Sequence, residues 1–246
     1  MKKIFLVAGC CFLIVNLFAQ EQLDSENKKK LDPRQINLSN RSNDHIVIQL
    51  GYSGWAGIPD TINTKGLSRS FNMYFMLDKP FKTNKRLSVA AGVGIATDNI
   101  FFDKTSIGIK EISGPLKFKN VADTNYFKKY KLGTAWAEVP LELRFTKDPT
   151  NNKKSIKAAL GVKVGTLLNA HTKGKNLLNK SGTTVNNYSE KLNSKKYFNT
   201  TRVQLTGRFG MGNLSVFGNY QIGSLFKEAL GPSIKTFTIG IAISGL

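Results

Sequence analysis

The chain has 246 residues, a formal net charge of +20, an apolar share of 41% and only two cysteines. So basic a balance ordinarily raises nucleic acid as a partner, but the first residues read as an export signal, and export excludes it. Both cysteines, Cys10 and Cys11, fall inside that signal, so the mature chain is expected to have no disulfide, no thiolate metal site and no cysteine nucleophile.

Lys2 and Lys3 precede an apolar run from Ile4 to Phe18, which gives way at Ala19 to the polar Gln20-Glu21-Gln22. Charged start, apolar middle and small residue are the order of a secretory signal, with cleavage expected after Ala19. An uncleaved spanning helix fits less well, because Asn16 interrupts the run and it falls short of ~20 apolar residues. Val7-Ala8-Gly9-Cys10 has the look of a lipoprotein box. The apolar stretch before it is shorter than the usual ~7 to 15 residues, and the run continues past the cysteine. Residues 1–19 are therefore read as signal peptide, whose loss takes the charge from +20 to +18. Residues 20–43 are polar, with Lys28-Lys29-Lys30 and Pro33, and are expected to form a flexible periplasmic tail. Residues 44–246 are read as the third unit, the folded domain.

From His45 onward apolar residues recur at every second position, the period of a strand. The first segment sets Ile46, Ile48, Leu50 and Tyr52 against Gln49, Gly51 and Ser53, with Val47 as an exception. The second sets Phe71, Met73, Phe75 and Leu77 against Ser70, Asn72, Tyr74, Met76 and Asp78, and the third runs from Leu87 to Ala96. The fourth sets Val139, Leu141 and Leu143 against Glu138, Glu142 and Arg144; the fifth runs from Ile156 to Gly165 with Lys157 and Lys163 on its less apolar face. The sixth sets Val203, Leu205 and Phe209 against Arg202, Gln204, Thr206 and Arg208. The seventh begins at Leu214 with Phe217 as an exception, and the eighth alternates Phe237, Ile239, Ile241 and Ile243 with small residues.

The connections alternate between long and short, as a membrane barrel with both termini in the periplasm requires. Long ones surround Pro59 and run from about Phe102 to Lys129 and from about Thr172 to Lys196; that around Gly231-Pro232 is intermediate. Short ones pass through Pro80 and Asn84, through Lys147-Asp148-Pro149-Thr150-Asn151, and through Gly210-Met211-Gly212-Asn213.

Alternation alone does not separate a barrel in lipid from a sandwich or barrel in water. The second face here is rich in Gly, Ala, Ser and Thr, which suits the crowded interior of a narrow barrel. Aromatics near strand ends, Tyr52, Trp55, Phe101, Phe102, Tyr130, Trp136, Phe145, Tyr197, Phe198, Phe209 and Phe226, fit girdles at two membrane interfaces. The expected fold is all-β, an eight-stranded antiparallel up-and-down transmembrane β-barrel in the outer membrane of a Gram-negative bacterium.

On that reading Glu138, Glu142, Arg144, Lys157, Lys163, Arg202 and Arg208 face the lumen, where opposite charges must pair. They form either a plug that fills the barrel or the lining of a small pore or transport path.

Four stretches, Ser68-Arg69-Ser70-Phe71-Asn72, Glu138-Val139-Pro140-Leu141-Glu142-Leu143-Arg144, Gly161-Val162-Lys163-Val164-Gly165 and Gly240 to Leu246, together with Phe18-Ala19-Gln20, carry a resemblance. With them the mature chain resembles the PorT-like outer-membrane β-barrel proteins of the Bacteroidetes. The resemblance implies a small outer-membrane barrel, mostly without assigned activity. One branch of that family is linked to type IX secretion and gliding, which implies a tie to secretion or envelope maintenance; no residue here specifies the branch.

No catalytic, cofactor-binding or metal-binding constellation is assigned, and no cofactor is expected. A lipid-modifying enzyme would need a base near the outer leaflet, for which His171 beside a loop serine is the one candidate, while His45 lies at the opposite end. The expected partners are outer-membrane lipid and lipopolysaccharide, facing the basic loops, and an envelope or secretion protein.

Overall fold

The structure, a computed structural model, describes residues 45–60, 62–66, 68–151 and 154–245. The signal peptide and tail read at 1–19 and 20–43 lie outside the described residues. Within them every regular element is a strand: β1 (Ile46–Ala56), β2 (Arg69–Pro80), β3 (Leu87–Phe102), β4 (Thr105–Ile107), β5 (Phe118–Asn120), β6 (Tyr126–Thr146), β7 (Ile156–Leu178), β8 (Thr184–Asn193), β9 (Thr201–Met211), β10 (Leu214–Gln221) and β11 (Lys235–Ser244).

Eight of these close a ring. In order the neighbours are β1, β2, β3, β6, β7, β9, β10 and β11, all antiparallel, and β11 returns to β1 through Gly51↔Gly240 and its flanking pairs. Each barrel strand pairs with the next one in the chain, so the topology is an up-and-down meander. Closure leaves the ring no free edge, so the backbone's hydrogen-bonding groups are satisfied inside the wall.

The wall is inside out by the standard of a water-soluble protein. Leu77, Val93, Leu160, Leu205, Val216 and Ile239 stand exposed on its outer surface, while Gln49, Asn72, Glu138, Lys163 and Gln204 are buried within. From Phe145 up to Ala135 the outward positions of β6 are apolar, a rise of about 26 Å at ~3.4 Å per residue and ~40° tilt. That matches the apolar band of about 25 Å on membrane barrels. The fold is a transmembrane-type barrel.

Interior room depends on glycine at a few positions. A Cβ on Gly94 would collide with the ring of Tyr74 and with the Met73 carbonyl oxygen, so its absence lets the Tyr74 ring reach the lumen. Val47 and Phe217, the exceptions to strict alternation, point inward; the Phe217 ring lies 3.0 Å from where a Gly51 Cβ would stand.

All four longer connections emerge at one end, and at the other β2–β3, β6–β7 and β9–β10 are joined by short turns. In one of these Asp148 accepts from the Thr150 hydroxyl at 2.6 Å and from two backbone amides, chiefly the first of which holds its carboxyl below the ordinary range.

Two stretches read as loops contain strand, the second of them for most of its length. The segment 102–129 contains the hairpin β4–β5 and the first turnings of β6; the segment 172–196 contains the end of β7 paired to β8. Above the apolar band the polarity of the wall reverses. Leu132 and Trp136 of β6 and Ala170 of β7 turn inward, while Lys131, His171 and Lys173 turn outward, and a bulge at Leu168 shifts the facing of β7. The strands therefore continue, but with their alternation inverted.

Candidate functional site

The lumen is crossed by hydrogen bonds between opposite walls. β1 and β7 stand four places apart in the ring of eight, yet Lys163 Nζ of β7 donates to Gln49 Oε1 of β1 at 3.1 Å. It also donates to the Tyr74 hydroxyl at 3.2 Å, and Asn72 Nδ2 donates to the same Gln49 oxygen at 3.1 Å. A single side-chain link thus spans the bore, which an eight-strand barrel makes narrow enough to fill.

Charged groups occupy two levels around this link. Toward the long-loop end Arg202 Nε donates to Glu138 Oε1 at 2.7 Å and its Nη1 to Asp98 Oδ2 at 2.8 Å, while the Tyr74 hydroxyl donates to Glu138 Oε2 at 2.6 Å. Toward the short-turn end Glu142 Oε2 accepts from Arg208 Nη2 at 2.6 Å and from Arg144 Nε at 3.0 Å. Removing a charge from water is costly unless a partner meets it, and here Asp98, Glu138 and Glu142 each meet a guanidinium. Of the seven charges assigned to the lumen from sequence, Glu138, Glu142, Arg144, Lys163, Arg202 and Arg208 come together in these contacts. Lys157 is half-buried near the short-turn end, where it pairs in register with Thr146 and Gly210.

Asp98, Tyr74, Gln49 and Asn72 complete the arrangement and were not singled out from sequence. Asp98 could have been: it continues the inward set Ser88, Ala90 and Ala96, but the third strand was ended at Ala96, two residues short.

Above the charges sits an apolar plug. Trp55, Ile100, Phe102, Leu132, Trp136 and Leu167 project inward from the wall, and Ile62, Ile107, Ile109, Leu116, Tyr197, Phe198, Leu225, Phe226 and Ile234 descend from the connections. All four long connections contribute. Trp55, Phe118 and Phe226 pack edge to face with centroids 5.9 to 6.4 Å apart, a favoured geometry for aromatic rings. Arg202 joins the two layers, its guanidinium 4.4 Å from the Trp136 ring centroid.

This overturns part of the girdle reading. Trp55, Phe102, Trp136, Tyr197, Phe198 and Phe226 are buried in the plug, because the wall reverses polarity where these residues occur. Outward aromatics do mark both ends of the band: Phe145 and Phe209 at one, Tyr52 and Tyr220 at the other.

The connections are also tied to one another by the backbone. Leu116 N donates to Leu230 O at 2.7 Å, Asn199 N to Leu225 O at 3.0 Å and Lys227 N to Tyr197 O at 2.9 Å, while Lys65 N ties the first connection to the wall at Phe101 O, 2.8 Å away. Asn199 Nδ2 donates to the carbonyls of Ser224 and Phe226, and the Tyr197 hydroxyl to that of Glu111.

No family model matches the chain, and no curated protein matches it. Two solved structures of Ail, the attachment invasion locus protein of Yersinia pestis, are similar to it. One, in complex with the heparin analogue sucrose octasulfate, aligns at a TM-score of 0.34 and 13% identity, covering 81% of this chain and 94% of that one. The other aligns at 0.33 and 14%, with the same coverage.

His171 is outside both layers. It faces outward on β7 above the apolar band, its ring against Gly133, with Asn99 beside it and Lys131, Lys173 and Lys191 as its charged neighbours. His45 stands at the other end, where its Nδ1 lies 3.0 Å from the Met76 carbonyl oxygen.

Proposed function

We propose that this protein is an exported outer-membrane barrel that conducts nothing and works as a scaffold, holding a rigid, basic surface outside the cell. The observation that carries this reading is the double seal, a hydrogen bond spanning the bore beneath a plug to which all four long connections contribute. A transport path would need a continuous polar channel, and the plug sets a dry layer across it. The PorT-like stretch Glu138 to Arg144 belongs to the same reading, because it supplies Glu138, Glu142 and Arg144 to the seal.

The connections are bound to each other and to the wall, so the surface they present is held in one shape. A preformed surface loses less conformational entropy on meeting a partner than a mobile one does. Its basic side chains suit an acidic partner, either an envelope protein or the phosphorylated glycolipid of the outer leaflet.

Purified protein reconstituted in planar bilayers is expected to leave the conductance at background. A stable channel of reproducible size, altered in ion selectivity by Glu142→Ala, would establish the pore reading in its place.

A further inference from the structure

The hairpin β7–β8 and its neighbours β3 and β6 place a concentrated positive charge above the upper end of the apolar band. Outward positions of adjacent strands follow each other in register. Asn99, Gly133, His171 and Asn193 make one row, and Phe101, Lys131, Lys173 and Lys191 the next. Lys129 and Lys175 face each other one step further up. Below them lie Ile95, Ala135, Ala137 and Leu168, the upper limit of the band.

Three cross-strand pairs are therefore lysine against lysine: Lys131↔Lys173, Lys173↔Lys191 and Lys129↔Lys175. Like charges directly opposite are destabilising in a sheet. Among the described residues none of the five lysines forms an ion pair, and Lys131 Nζ donates to the neutral Asn99 Oδ1 at 2.6 Å. Glu190, the nearest carboxylate in sequence, lies on the opposite face of β8, among Ile107, Thr172 and Leu192.

Strands are about 4.8 Å apart and successive same-face residues about 7 Å along a strand. The five ammonium groups thus share a patch of about 10 Å by 7 Å, the scale of one or two phosphate groups with their ester oxygens. Height selects the source. Lys131 stands four residues above Ala135, about 10 Å above the band at the same tilt, which is headgroup depth. We propose that this face of β6, β7 and β8 binds a phosphate of a glycolipid in the adjoining leaflet, whose acyl chains lie along the wall below.

The site rests on the bilayer-spanning, outward-facing placement proposed above and names the chemistry of one partner of that surface. Each lysine at a membrane surface contributes about 1 kcal/mol to attraction of anionic lipid, so the triple substitution of the central row is expected to weaken binding about 100-fold.

The experiment is native mass spectrometry of the full chain in neutral detergent with diphosphorylated lipid A. Wild type and a charge-matched variant altered at the short-turn end, K79Q/K82Q/K147Q, are expected to retain the lipid. K131Q/K173Q/K191Q is expected to lose it, and dephosphorylated lipid A to bind none of the three. Equal retention by K131Q/K173Q/K191Q, equal binding of the dephosphorylated lipid, or displacement by equimolar inorganic phosphate would each overturn the proposal, the last by assigning the site to free phosphate. A heat-dependent gel shift checks that each variant is a closed barrel; if the triple variant fails it, K173Q alone is expected to weaken binding several-fold, and unchanged binding there overturns the site. Loss of lipid specificity with a normal gel shift removes the site alone, whereas loss of the shift in wild type would remove the barrel reading beneath it.

Discussion

Arg202 holds more of the lumen together than any neighbouring residue. One guanidinium meets Glu138 and Asp98 at 2.7 and 2.8 Å and stacks on Trp136 at 4.4 Å, with both carboxylates nearly excluded from solvent. Removing it as Arg202→Met leaves Asp98 and Glu138 buried without the guanidinium that pairs them, a change that costs about 3 to 5 kcal/mol. The urea midpoint for loss of the heat-modifiable form is expected to fall accordingly. Replacing the whole group, Arg202→Met with Glu138→Gln and Asp98→Asn, removes the unpaired charges and is expected to recover most of the loss. If the triple variant were as unstable as the single one, charge pairing would not be what stabilises this level. From sequence, alternation alone put Glu138 and Arg202 on the inner face. Their partners Asp98 and Tyr74 are not legible in the same way, because one lies past the end of the alternating run in the third segment and the other is an aromatic on a face otherwise small and polar.

At the level of elements, the instructive pair is β6 and β7. Both were read from sequence as ending near the top of the apolar band, at Glu138 and Gly165, and both extend well beyond, to Tyr126 and Leu178. The reason is physical. Within the band lipid demands apolar side chains outside; above it water surrounds the wall and the plug demands them inside, so one phase of alternation fades as the opposite phase begins. The bulge at Leu168 adds a further shift in β7. A reading that follows a single phase stops at the crossover and assigns the rest to loop. The plug itself was illegible for a related cause, because its residues come from four connections that only the closed ring brings together. Phe226 packs against Trp55, Phe118 and Phe198 at centroid separations of 5.1 to 6.0 Å. Phe226→Ala should therefore loosen the connections by about 3 to 5 kcal/mol and leave the ring closed. Limited trypsin digestion is expected to cut Phe226→Ala faster than wild type after Lys117, Lys119 and Lys227, with the gel shift retained. Unchanged cleavage would mean that the connections hold without the plug.

For the whole molecule, strand number, the order of connections and the greasy outer face were all readable in advance, since a two-residue period and the spacing of turns are properties of the chain alone. Closure through β11 and β1, the filling of the bore and the inverted upper wall are properties of the assembled ring. The central claim is that this ring stands in a bilayer with its long connections outside. Single cysteines read by a membrane-impermeant thiol reagent in intact cells test it most directly. Cysteines replacing Val162 and Ile239, both on the outer face of the band, are expected to stay unlabelled. A cysteine at Asn186 of β8 is expected to react from outside, and one at Thr150, in the β6–β7 turn, only after the outer membrane is opened. Labelling at Thr150 with none at Asn186 would invert the orientation, and labelling at Val162 and Ile239 would contradict the membrane-spanning barrel itself.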